Sequence, residues 1–127
     1  MRRALILAVV LAAAAGCKRH RDPFIDPAVP IDVSRGAKFD VAVRARHKTA
    51  YQWVLVDSAA LSPLRLVGRR SYYPAQDRNR VGAAGVSVWT FAAPYPGEAT
   101  IVLLHKRPGV NEPPIDSARF RVRVSRW

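Results

Sequence analysis

Hydrophobic and polar residues alternate one by one near the C-terminal end of this chain. Phe120, Val122 and Val124 fall on one side and Arg119, Arg121 and Arg123 on the other, the period of two that a half-buried β-strand requires. The same period recurs upstream. Phe39, Val41, Val43 and Ala45 alternate with Lys38, Asp40, Ala42 and Arg44, and Tyr51, Trp53 and Leu55 mark a third stretch. Ile31 to Ser34, Leu64 to Val67, Val86 to Ala93 and Ala99 to His105 complete the set, with proline or glycine interrupting it at short intervals. No amphipathic helical stripe competes with them. The pattern therefore predicts an all-β fold, an immunoglobulin-like antiparallel β-sandwich of about seven strands. Where strands run up and down, alternate connections emerge at the same end. The loops Arg46 to Ala50, Arg70 to Gly85 and Lys106 to Asp116 are thus expected side by side.

The first residues follow a different rule. Arg2 and Arg3 precede an aliphatic and small-residue run, Ala4 to Ala15, which ends at Gly16-Cys17. The run is too short for a spanning helix, which needs about 20 apolar residues, and suits a signal peptide. Cys17 directly after small residues resembles the end of a bacterial lipoprotein signal, although Ala14 stands where that signal more often has leucine. The resemblance implies that the Cys17 thiol is diacylated, that residues 1–16 are removed, and that the chain is exported and lipid-anchored to the membrane of the cell envelope. Ordinary cleavage after Ala15 is the alternative. Residues 17–29, with Lys18-Arg19-His20-Arg21 and two prolines, then read as a tether, and 30–127 as the folded domain. Cys17 is the single cysteine, so no intramolecular disulfide is available and the domain has to rest on its core.

Candidate chemistry gathers between Val81 and Pro108. Gly82-Ala83-Ala84-Gly85 precedes Val86-Ser87-Val88-Trp89-Thr90-Phe91; Pro94-Tyr95-Pro96-Gly97 suits a turn; Ala99 to His105 leads to Lys106-Arg107-Pro108. This order resembles the chagasin-like inhibitors of papain-type cysteine peptidases. There a Gly-x-Gly-Gly loop precedes a strand with spaced aromatics, and an Arg-Pro-Trp corner follows the next strand. The resemblance implies the same sandwich, with three loops at one end occluding the peptidase cleft. It gives as peptidase-binding residues His47, Lys48, Thr49 and Ala50 in the first loop, Gly82, Ala83, Ala84 and Gly85 in the second, and Arg107 and Pro108 in the third. The second loop is expected to be solvent-exposed. The chain departs from the family pattern at two places. Arg46-His47-Lys48-Thr49-Ala50 stands where the family has Asn-Pro-Thr-Thr-Gly, and Gly109 stands where it has tryptophan. Tyr72 and Tyr73 are substitute anchors or else finish a strand.

No catalytic set accompanies these motifs. His20, His47 and His105 are scattered and no Gly-x-Ser-x-Gly elbow exists, so neither an enzyme nor a metal or cofactor site is expected. The formal charge of +12, carried mostly by arginine, falls by two when Arg2 and Arg3 are removed. In a cytosolic protein it would suggest nucleic acid; in an exported one it does not. Arg119, Arg121 and Arg123 read as solvated charges that discourage edge pairing. The expected partner is a papain-type cysteine peptidase, met by a monomer. The alternative is a non-inhibitory envelope lipoprotein whose sandwich binds a protein or anionic envelope polymers.

Overall fold

The computed structural model describes residues 22–45, 50–74 and 84–127. Seven strands are present among them: β1 (Ile31–Ser34), β2 (Lys38–Ala45), β3 (Gln52–Leu55), β4 (Arg65–Tyr72), β5 (Gly85–Ala92), β6 (Gly97–Lys106) and β7 (Asp116–Ser125). A single 3-10 turn, Ala59–Leu61, joins β3 to β4. One sheet has the order β1-β7-β6-β3 and the other β2-β5-β4. β1 runs parallel to β7, and the other pairs are antiparallel. This is the two-sheet immunoglobulin-like sandwich that the period-two pattern predicts.

Alternation decides which side chains meet between the sheets. On β7, Phe120, Val122 and Val124 are buried, while Arg119, Arg121 and Arg123 are exposed. Facing them from the other sheet are Phe39, Val41, Trp89 and Phe91, with Phe39 stacked on Phe91 at 5.8 Å between centroids. Each fully buried aromatic or aliphatic side chain of this size contributes about 1.5–3 kcal/mol. That layer replaces the missing disulfide as the source of stability.

Two elements differ from the pattern. β4 runs on to Tyr72 rather than stopping at Val67, and most of its residues are exposed. Its pairing with β5 is what holds it as a strand, with a register shift between Leu66 and Gly68, a long-range fact that local hydrophobicity does not carry. On β2, Asp40 and Ala42 are buried although they alternate with the core residues. Thr90 Oγ1 donates to Asp40 Oδ1 at 2.6 Å, Arg70 lies 3.8 Å from Asp40 Oδ2, and the backbone of Phe24 pairs alongside. Phe24 thus docks on β2 and packs its ring edge-on to Phe39 at 6.2 Å, inside the stretch expected as a tether.

Strand direction gives the sandwich two distinct ends. β2, β4 and β6 climb to one end, where Ala45 faces Gly85, Tyr72 faces Val86, Gln52 faces Lys106 and His105 faces Asp116. We call this the loop end. At the opposite base, Lys38 and Arg65 both face Ala92, and Gly36, with φ +84°, turns β1 into β2. Every member of the hydrophobic core cluster and its packed neighbours lies between Phe24 and Val124. Among the described residues, no helix is long and apolar enough to cross a membrane.

Candidate functional site

The three connections expected side by side do leave from the same end. What ties them there begins with Trp53. Its indole N–H reaches across from β3 and donates to the Arg44 carbonyl on β2 at 3.0 Å, so one side chain joins the two sheets. Trp53 is only 6% exposed, and in that setting an unmade N–H bond would cost about 1–3 kcal/mol. The joint is therefore a fixed one.

A row of contacts leads outward from this joint. The His105 ring lies nearly parallel to Trp53, 4.8 Å away at 7°. Tyr51 meets His105 edge-on at 5.9 Å, and the Arg107 guanidinium stands 5.7 Å from the Tyr51 ring. Arg107 in turn gives two hydrogen bonds to Glu112, from Nε to Oε2 at 3.1 Å and from its terminal nitrogen to Oε1. The Glu112 hydrogen bond, and after it Tyr51, raise the Arg107 pKa above its ordinary value, so the guanidinium stays charged. The third loop is thereby closed on itself and braced against the residue that leads into β3. Between the sheets at this end lies a cavity of about 390 Å³, lined among others by Ala45, Tyr51, Ala84, His105 and Ile115.

The residues singled out in the sequence distribute unevenly over this site. Arg107 and the exposed Pro108 follow β6 directly, and Ala84 lies half-buried before β5. Ala50 is exposed, two residues before β3. Gly85 is a correction: it is the first residue of β5, buried and paired with Ala45, because the ladder with β2 extends one residue further than the motif suggests. His47, Lys48, Thr49, Gly82, Ala83 and Cys17 lie outside the described residues. Gly109 has φ +75° and directly follows Pro108, the Pro-Gly pairing of a type II turn. Tyr72 ends β4, with Arg70 6.0 Å from its ring.

Sequence reading missed His105 and Glu112 as members of the site. His105 reads there as one of several scattered histidines, and Glu112 carries no motif, because a loop that folds back has no fixed spacing between its partners. Among the described residues, no three histidine, cysteine or acidic side chains gather into a potential metal site.

The class is that of an immunoglobulin-like sandwich whose three connections leave from the same, braced end. The family described as chagasin family peptidase inhibitor I42 matches residues 32–124, and this chain belongs to it. The family consists of inhibitors of peptidases rather than enzymes. The cysteine protease inhibitor EhICP2 from Entamoeba histolytica has a similar structure, with a TM-score of 0.64 at 16% identity over 80% of this chain and 92% of that one. Amebosin is also similar, with a TM-score of 0.59 at 18% identity, covering 84% of this chain and 98% of its own. At such identities the likeness speaks for the fold. No curated protein matches the chain.

Proposed function

We propose that this chain is an exported, lipid-anchored inhibitor that blocks the active-site cleft of papain-type cysteine peptidases with its loop end. The observation that carries the reading is the brace from Trp53 through His105, Tyr51 and Arg107 to Glu112. Occlusion by loops is efficient only if they are ordered before binding, since each rotamer-rich side chain immobilised at an interface costs about 0.5–1.5 kcal/mol. Here the third loop is held in shape by its own residues. Ala84, before β5, offers backbone close to that loop across the cavity, and main-chain contacts to an extended groove depend little on side-chain identity. The inhibitor needs no chemistry of its own, and Cys17 supplies the anchor.

The test is a titration of papain with the chain from Lys18 onward. Competitive inhibition is expected, and its absence at tens of micromolar with a folded domain would overturn the proposal. Gly109 favours a second reading, a binding lipoprotein without inhibitory activity, because the family's tryptophan is replaced by a turn residue. Retention of the folded chain by an envelope extract, without inhibition of any papain-type peptidase, would favour that reading.

A further inference from the structure

The N-terminal segment enters the fold at the base. Phe24 N–H donates to the Asp40 carbonyl at 2.8 Å, and the Phe24 carbonyl accepts from Ala42 N–H at 3.0 Å, the pattern of a parallel bridge to Val41. Because β2 climbs from Lys38 at the base to Ala45 at the loop end, Asp22 lies on the base side of Phe24. Five residue steps separate it from Cys17, at most about 18 Å of chain. An anchor at Cys17 would hold the base toward the bilayer and point the loops away from it.

The base is furnished for that position. Trp127 is 92% exposed and Tyr95, in the β5–β6 connection, is 66% exposed. Trp127 follows β7, and its carbonyl accepts from the Ser125 hydroxyl at 3.0 Å; Arg35 N–H donates to the Ser125 carbonyl at 2.9 Å, which sets Arg35 beside that segment. Arg35, Lys38, Arg65 and Arg126, all exposed, stand at the same end. Glu98, a nearby acid in register, is paired with Arg123 at 3.7 Å. Two exposed aromatics that share an end of the sandwich with four exposed cations, beside the acids Glu98 and Asp32 that are in register with Arg123, match a bilayer interface, where amphipathic rings sit among headgroups and basic residues meet anionic lipid. A second copy docked base to base would instead oppose like charges.

We propose that the base is a docking surface for an anionic lipid bilayer, with Trp127 and Tyr95 inserted at headgroup depth and Arg35, Lys38, Arg65 and Arg126 on the phosphates. The surface stands on the base residues and owes nothing to peptidase binding. The lipid on Cys17 would only make its contact permanent.

The experiment uses the chain from Lys18, without lipid, and vesicles of equal parts phosphatidylglycerol and phosphatidylcholine. Of the three tryptophans, Trp53 and Trp89 are 6% and 2% exposed, so Trp127 is the solvent-facing reporter. Its emission should shift to the blue on vesicle binding and be quenched by brominated acyl chains. Arg35→Gln, Lys38→Gln and Arg126→Gln should each weaken binding about fivefold, and added salt should reverse it. Trp127→Ala should remove the quenching, while Arg119→Gln with Arg121→Gln should leave affinity within about twofold, as these lie on the sheet face away from the base. Equal thermal midpoints would show that the variants fold. No vesicle binding, binding without quenching of Trp127, dependence on Arg119 and Arg121 instead of the base, or a dimer formed through Trp127 in the absence of vesicles would each overturn the proposal.

Discussion

At Gly109 the sequence and the structure give one residue two meanings. The motif comparison reads it as an anchor lost, since the family has tryptophan there. The backbone, at φ +75°, makes it a turn residue for which any side chain is strained. Gly109→Ala should therefore lower stability by about 1 kcal/mol, read from the denaturant midpoint. Gly109→Trp carries the same strain but restores an aromatic of the kind worth about 2 kcal/mol or more at an interface. The strain is carried by the free and the bound domain alike and does not subtract from affinity, so papain inhibition should tighten about tenfold or more even as the free domain loses stability; equal or weaker inhibition would show that the third loop does not reach the peptidase. Nothing local in Arg107-Pro108-Gly109 tells the loss from the turn. Trp53 is a similar case. Its period-two neighbours reveal the strand, but the indole's partner, Arg44, belongs to the other sheet and is brought close only by folding.

Elements were legible where one face is buried and the other wet, and blurred where that contrast fails. β7 shows the contrast at every position, and its pattern reads directly. β4 has almost no buried face, so Arg70 to Tyr72 pass for loop until their pairing with β5 is seen. The same ladder draws Gly85 out of the second loop. Gly85→Glu, which would test contact alone if the residue were exposed, should instead place a carboxylate at a buried strand start and destabilise the domain by about 1–3 kcal/mol. Ala84→Glu, one residue earlier and half-exposed, should weaken inhibition with the midpoint nearly unchanged. Comparing the two midpoints by urea denaturation checks the boundary. In the third loop, Glu112 orders the chain while remaining exposed to water, and exposed pairs of this kind add little to stability. Glu112→Gln should leave the midpoint in place and weaken inhibition by about three- to tenfold, through loss of preorganisation. A shifted midpoint with unaltered inhibition would assign the pair a purely structural role.

On the scale of the molecule, period two was enough to predict a sandwich and even the shared end of three loops, because strand direction alternates whatever the register. It was not enough to divide the strands between sheets or to see that Phe24 belongs to the fold. A lone aromatic among prolines and charges carries no period, and its bridge to β2 spans an intervening strand and turn. That bridge decides how much slack lies between the domain and whatever holds its N-terminus. The Phe24 ring is half-buried against Phe39, so Phe24→Ala should cost less than the 3–5 kcal/mol of a fully buried phenylalanine, about 1–2 kcal/mol. The sandwich itself should survive, since its central aromatics Phe91, Trp89 and Phe120 lie elsewhere. The two outcomes separate in limited proteolysis with thermolysin. Cleavage before Ile25 or Val29 should accelerate in the variant while the fragment from Ile31 onward persists, because Phe24 docks the segment and the core holds the rest. Equal rates in both proteins would mean that the backbone pair alone fixes the entry, and simultaneous loss of the whole domain would make Phe24 a part of the central core rather than its clasp.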